Sequence, residues 1–460
     1  MFQCTRLRFS KLALAVRVLA GIVCFLLLAS SARAQVQPHD QFILSLAAAI
    51  DQSSFTPRER LGLNLFFDSN LSEPAGVACA SCHDPRRGFT GNNNTLIGVA
   101  LGSRSDQFGT RDAPTLMYLA TAPRFGSAER DGKRVPTGGH FWDGRADTLE
   151  EQAKQPLFNA VEMNNADVPA LIAKVAKAAY AGVFRKEWGE TIFNNAEAAL
   201  DAVAASIAAF ERTRVFQPFT SKFDSVMRGQ AQFTEQEQRG LSIFTLPQKG
   251  NCAHCHSVDV ASRDPQKSLF TDFSFRALGL PRSARIPKNS EPAFFDLGLC
   301  ERVPVAGAEL PVTAAKPPVT DPATCGMFKT PTLRNITITA PYMHNGFFDS
   351  LRDAVAFYAT RDTQPARWFP AGKKFDDLPA RYHANVDVDT PPYQRRPQQR
   401  PQLTNGEIDD IVEFLYTLTD GYNPEGNRSG NRPQAEITPP RTPIPSPSQP
   451  ASPPASRSEY

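Results

Sequence analysis

The chain is poor in several things that would define other classes of protein. It has no block of lysine and arginine, so the electrostatic footprint of a nucleic-acid binder is missing. It has no apolar run long enough to span a bilayer. Val18 to Ala29 is short, and Arg17 interrupts the longer stretch that starts at Leu12. Cys24 is not preceded by the small residue that a lipid-anchored cysteine needs, so no lipoprotein anchor is expected. Strand formers are few between Thr148 and Gly229, where Ala-rich amphipathic segments at 170–181 and 196–210 predict helices. From Asn423 onward apolar residues nearly vanish among Pro, Ser and Gly. Residues 423–460 therefore cannot bury a core, and a disordered tail is expected.

The N-terminus has the three parts of a signal peptide. Arg6, Arg8 and Lys11 precede the short apolar run, and Ala32-Arg33-Ala34 offers an A-x-A cleavage site. Cleavage after Ala34 is expected to leave a mature chain starting at Gln35. Residues 1–34 carry five basic residues and no acid, so the formal charge falls from +3 to −2 on processing.

What the chain does contain is a repeated pentapeptide. Cys79-Ala80-Ser81-Cys82-His83 and Cys252-Ala253-His254-Cys255-His256 share the spacing C-x-x-C-H. Two thiols at this spacing can each form a thioether to a haem vinyl group, and the adjacent histidine can then ligate the iron. A zinc ribbon also uses paired C-x-x-C units, but usually within about twenty residues of each other. A thioredoxin-like C-x-x-C needs no histidine after it. Two covalent haems are expected, and in bacteria their attachment outside the cytoplasm agrees with export to the periplasm. Of eight cysteines, two leave with the signal and four hold haem, which leaves Cys300 and Cys325. In an oxidising compartment a disulfide closing a Pro-rich loop is expected, the alternative being two free thiols.

Each haem motif follows a helix with a readable start. Thr56 with Glu59 and Thr234 with Glu237 are capping boxes, the first with Pro57 at the first helical position. A third, Thr404 with Glu407, opens an amphipathic helix over 408–415. First helix, haem loop and closing helix are the parts of a cytochrome c fold. The fold class is therefore mainly α, with two cytochrome c-like domains at 35–228 and 229–422, each carrying one covalent haem. Residues 281–327 and 361–402 read as Pro-rich and irregular.

A series of motifs then carries a resemblance. LGLNLFFDSNLS at 61–72, CASCHDP at 79–85, DAPTL at 112–116 and FWDGRADTLEEQ at 141–152 come first. VEM at 161–163, CAHCH at 252–256, FKTPTLRN at 328–335 and APYMHNG at 340–346 follow in order. Over about Leu61 to Leu418 the chain resembles the bacterial di-haem cytochrome c peroxidase family, which includes the MauG-like oxidases.

That resemblance implies roles. The N-terminal haem would be high-spin and bind peroxide, with His83 proximal and Gln152, Pro156 and Glu162 lining the open face. Glu162 would take a proton from H2O2 and return it to the leaving oxygen. Many family peroxidases cap this iron with a loop histidine. The matching segment here, Gly102 to Arg111, has none, so a five-coordinate or water-bound haem is expected. At the second haem, with His256 proximal, the family position of a methionine ligand is occupied by Tyr358, as in the MauG-like branch. Met343 and His344 stay open as alternatives. A phenolate favours ferric and higher states, a thioether ferrous iron. Trp142 would stand between the haems, with Asp143 and Arg145 as a structural ion pair. Asp112, Thr339 and Pro341 match the family's calcium site, and oxygen donors suit Ca2+. His140 and His254 receive no role. His39 and His383 are expected to be exposed.

The function so implied is an exported peroxidase that reduces H2O2 at the N-terminal haem with electrons passed through the C-terminal haem. The donor would be a small periplasmic cytochrome c or cupredoxin. One alternative is a MauG-like oxidase that modifies residues of a partner protein through a bis-ferryl state. Another, of a different class, is a di-haem electron carrier without peroxide chemistry.

Overall fold

The computed structural model describes residues 55–93, 95, 97–302 and 320–423. The expected signal peptide and all of the tail except Asn423 lie outside the described residues, as does His39. Helices dominate what is described. In order they are α1 (Pro57–Phe67), α2 (Cys79–Cys82), α3 (Leu149–Phe158), α4 (Val168–Val175) and α5 (Ala181–Trp188). Then follow α6 (Ala196–Glu211), α7 (Lys222–Met227), α8 (Glu235–Thr245), α9 (Leu351–Thr360) and α10 (Asn405–Tyr416). Strands β1 (Gly126–Arg130) and β2 (Lys133–Thr137) form one antiparallel pair, and β3 (Phe275–Ala277) and β4 (Met327–Lys329) another. No helix among the described residues is long and apolar enough to cross a membrane.

The three predicted capping boxes are formed. Thr56, Thr234 and Thr404 each accept a bond from the backbone of the glutamate three residues on, and that glutamate bonds back to the cap. Such caps contribute about 1 kcal/mol each. They set where α1, α8 and α10 begin, and so how far α1 and α8 stand from the C-x-x-C-H turns that follow.

The apolar core falls into groups with different membership. Leu61, Leu65, Leu171, Val203 and Ile207 belong to one, and Phe66, Phe89, Phe210 and Phe216 to a neighbour. Phe223, Phe244, Phe270, Phe357 and Phe414 belong to a third. The division between the first two and the third lies between Phe219 and Phe223.

Two helix crossings repeat. α1 packs on α6, and α8 packs on α10. At each crossing a glycine lets the backbones meet. A methyl group on Gly62 would run into the Ser206 carbonyl, and one on Gly240 into the Asp410 carbonyl. Gly62 and Gly240 occupy corresponding places ahead of the two C-x-x-C-H motifs.

Polar residues tie distant segments together. Arg334 and Asp224, both fully buried, pair at 3.0 Å. Removing one partner of such a pair typically costs about 3–5 kcal/mol, because the other charge is left stranded. Asp420 accepts from Tyr118 Oη at 2.7 Å, Thr220 N at 2.8 Å and Asn335 Nδ2 at 2.8 Å.

Cys300 and Cys325 form a disulfide, as expected. Residues 281–302, 320–327 and 361–402 contain only short 3-10 turns and one residue of β4, in line with the Pro-rich reading. Three details differ from the sequence reading. The helix expected over 170–181 stops at Val175, because the chain turns at 176–180 and brings Tyr180 onto Asp68 before α5 begins. The hairpin β1–β2 was unanticipated. Its signal was present in Asp131-Gly132, a two-residue turn with φ of 49° and 72°. His383 is half-buried rather than exposed, with Nε2 2.8 Å from the Leu378 carbonyl.

Candidate functional site

The two C-x-x-C-H motifs adopt one arrangement. His83 Nδ1 lies 3.0 Å from the Phe89 carbonyl, and His256 Nδ1 lies 3.0 Å from the Phe270 carbonyl. A carbonyl only accepts, so Nδ1 carries the proton in both rings and Nε2 keeps its lone pair. That fixed tautomer is what a metal-ligating histidine needs. Burial lowers both imidazoles, His83 to about 4, which keeps them neutral and available to a metal. All four cysteines are unbridged. Burial pushes the thiols of Cys79, Cys82 and Cys252 up to about 12 and that of Cys255 up to about 11. Among the described residues no three or more His, Cys, Asp or Glu side chains gather into a metal cluster.

A cavity of about 1810 Å³, counting its open mouth, lies at the second motif. Its walls include Cys252, Cys255, His256, Leu280, Met343 and Tyr358, and they are mostly apolar. Tyr358 lies close enough to Cys255 and Cys252 for their charges to act on it. Burial together with those charges raises its phenol. His344 lines the same cavity. Its ring stacks on Phe328 with centroids 3.4 Å apart, and its Nε2 lies 3.4 Å from Asp377 Oδ2. Tyr358, Met343 and His344 all line this cavity, so the three candidates for the second iron's ligand stay open. The sequence reading missed Tyr393, which stacks on Tyr358 at 5.7 Å and lies under the Arg361 guanidinium at 4.0 Å.

At the first motif, Glu162 lies near both Cys79 and Cys82. Burial raises its carboxyl above the ordinary value, against the opposing pull of Arg145 and a bond from Asn159. Gln152 and Pro156 sit on α3, whose end leads into the 159–163 turn that carries Glu162. The segment without histidine packs on this turn. Ser103 N donates to the Glu162 carbonyl at 2.7 Å, and a side chain on Gly102 would strike the Val161 carbonyl. A second carboxyl was not anticipated. Glu211, at the end of α6, acts on Cys79, and burial lifts it to about 8. Its place in an Ala-rich helix offered no sequence signal.

Trp142 joins the two halves. Its Nε1–H donates to the Asp112 carbonyl at 2.8 Å, its own carbonyl accepts from Lys329 N of β4 at 2.8 Å, and its ring lines the cavity of His256. Asp143 pairs with Arg145 at 3.0 Å, as expected, and with Arg111 at 2.6 Å. Arg111 also holds Asp296 at 2.6 Å. Burial alone would raise Asp143, but the two guanidiniums win and hold it below the usual carboxylate range. Asp112 is the opposite case. It is buried, its Oδ1 has no hydrogen-bond partner, and burial raises it although Arg87 and Arg285 oppose. Thr339 and Pro341 line the same cavity, and Arg87 donates to the intervening Ala340 carbonyl. A buried carboxylate oxygen without a donor suits a cation.

Residues 56–232 match the family described as di-haem cytochrome c peroxidase. The methylamine utilization protein MauG of Paracoccus denitrificans is 37% identical over 368 residues, covering 78% of this chain and 88% of that protein. The cytochrome c551 peroxidase of Nitrosomonas europaea is 29% identical, over 64% of this chain and 70% of that protein. The crystal structure of the diheme peroxidase BthA from Burkholderia thailandensis superposes with a TM-score of 0.73 at 40% identity, covering 80% of this chain and 89% of that chain. With two C-x-x-C-H motifs that imply two c-type haems, the chain belongs to the di-haem cytochrome c peroxidase family and is an oxidoreductase of its peroxidase and MauG-like kind.

Proposed function

We propose that this protein is an exported di-haem peroxidase with cytochrome c-like domains at 35–228 and 229–422. In this reading Cys79, Cys82 and His83 hold the haem that reduces H2O2, and Cys252, Cys255 and His256 hold the haem that delivers electrons. When bound, the haems supply redox-active iron for O–O cleavage. The observation that carries the reading is a carboxyl with a raised proton affinity, Glu162, beside the first attachment motif and not the second.

The protein's own groups then have defined tasks. A Glu162 oxygen takes the proton from one peroxide oxygen and hands it to the other, so that the departing oxygen leaves as water. Gln152 and Pro156 line the same face. The Phe89 and Phe270 carbonyls hold His83 and His256 in the ligating tautomer. Trp142 bridges the segments that carry the two sites and offers an oxidisable indole between them. Asp112, with the carbonyls of Thr339 and Pro341, binds one Ca2+ beside Trp142. Electrons come from a small periplasmic cytochrome c or cupredoxin. The test is one equivalent of H2O2 added to the di-ferric protein, followed optically. The wild type should respond at once, and Glu162→Gln about 10²- to 10⁴-fold more slowly with both resting haem spectra intact. An equally fast variant would reject the assignment.

Tyr358 favours a second reading, in which the enzyme is MauG-like and oxidises residues of a partner protein. Phenolate ligation would let the second centre hold an oxidising equivalent. Mössbauer spectra after H2O2 addition read how the equivalents divide between the irons. An even division that Tyr358→Phe abolishes and Met343→Leu leaves alone supports this reading. The reverse pattern assigns the ligand to Met343.

A further inference from the structure

We infer that Tyr180, hydrogen-bonded to Asp68 in an open groove beside the first haem motif, is a second oxidation site where small phenolic reductants deliver electrons to the N-terminal centre. The inference rests on the peroxidase reading above and adds a substrate class and a place for it.

Four observations converge on Tyr180. Its Oη donates to Asp68 Oδ2 at 2.7 Å, so the phenolic proton has a carboxylate to move onto. Its ring packs on the core group that contains Leu65, Leu71, Val77 and Met163, which reaches to within two residues of Cys79 and one of Glu162. It also lies close enough to Cys79 for the thiol's charge to act on it. The groove opens to solvent beside Tyr180, its walls mixing Leu63, Phe67 and Ala178 with Asn64, Asp68 and Asn70, and Phe67 is 46% exposed. Tyr118 makes a similar bond to Asp420, but it is buried and has the Arg334 cation 4.9 Å over its ring, which disfavours removing an electron.

The exchange balances. The oxidising equivalent that H2O2 leaves at the first centre takes one electron from Tyr180. The O–H bond breaks and its proton passes to Asp68 Oδ2. A phenol in the groove then gives an electron and its hydroxyl proton. The Tyr180 O–H bond re-forms with the proton held on Asp68, and the phenol's proton goes to solvent. Two such cycles use the two equivalents of one peroxide. A donor that surrenders an electron and a proton together suits this site, where the Phe67 ring offers a face to an aromatic donor and Asn64, Asp68 and Asn70 offer polar partners to its hydroxyl.

The test uses the full holoprotein, H2O2 and a nitroso spin trap, with adducts located by peptide mass spectrometry. The adduct is expected on Tyr180. Tyr180→Phe should lose it and oxidise a dimethoxyphenol about tenfold more slowly or worse, while the haem spectrum still answers H2O2. Asp68→Asn keeps the phenol but removes the proton acceptor, and should lower the adduct yield. Adducts elsewhere with Tyr180 unlabelled, or an unchanged phenol rate in Tyr180→Phe, overturn the site. A haem spectrum that ignores H2O2 in the wild type would remove both this site and the peroxidase reading beneath it.

Discussion

The Trp142 indole donates its Nε1–H to the main-chain carbonyl of Asp112 at 2.8 Å, and the Asp112 N–H donates to the His344 carbonyl at 2.7 Å. One short segment therefore fixes both the Trp142 ring and a buried carboxylate suited to a cation. Burial raises the Asp112 carboxyl, while Arg87, a backbone bond from Ala113 and Arg285 oppose it.

A coupling between metal and indole follows. Asp112→Asn should bind Ca2+ at least about tenfold more weakly, as read by titration calorimetry. Chelation of the wild type should slow peroxide turnover, and the variant should be less sensitive to chelator. Protein purified without calcium by elemental analysis, yet fully active, would remove the site.

Glu162 predicts an acid limb. Its carboxyl is raised by burial, so the carboxylate that accepts the peroxide proton is lost as pH falls through a value above the ordinary 4.5. The kcat/KM for H2O2 should therefore decline on the acid side at a pH higher than a free glutamate would set. In Glu162→Gln the limb should vanish and the plateau drop about 10²- to 10⁴-fold.

Glu211 predicts a stability change with pH. Its folded value of about 8 exceeds the ordinary 4.5, so the folded state binds more protons between these values. Stability from this group is complete below about pH 4.5 and is lost as pH rises toward 8, with a slope of at most about 1.4 kcal/mol per pH unit. Glu211→Gln should lose less in Tm than the wild type between pH 6 and pH 8.5. Parallel curves would mean that Glu211 gains a partner in the holoprotein.

Gly62→Ala and Gly240→Ala should each destabilise by about 1–3 kcal/mol or more, since a methyl group at either position meets backbone rather than a side chain that can swing away. Thermal unfolding followed by circular dichroism measures this. A tolerated Gly62→Ala would show that α1 and α6 can slide apart.

Much of the site was legible in the chain. The two C-x-x-C-H motifs and the three capping boxes are local patterns, complete within a few residues, and their chemistry follows from covalent spacing and backbone bonding. The leftover pair Cys300 and Cys325 could be read from count and compartment. Tyr180 could not. It sits inside an Ala-rich run that reads as continuous helix, and its meaning comes from Asp68, more than a hundred residues earlier. Glu211 and Tyr393 were hidden for the same reason, since burial and neighbours set their properties.

From its order of residues alone the chain determined that it carries two attachment motifs, each behind a capped helix. Only the folded structure decided which carboxyls stand beside Cys79, that the His344 ring stacks on Phe328, and that Asp112 Oδ1 is left without a hydrogen-bond partner. The physical reason is range. Motifs act through bonds and turns, whereas proton affinity and metal fitness depend on what the whole fold brings within a few ångströms and shields from water.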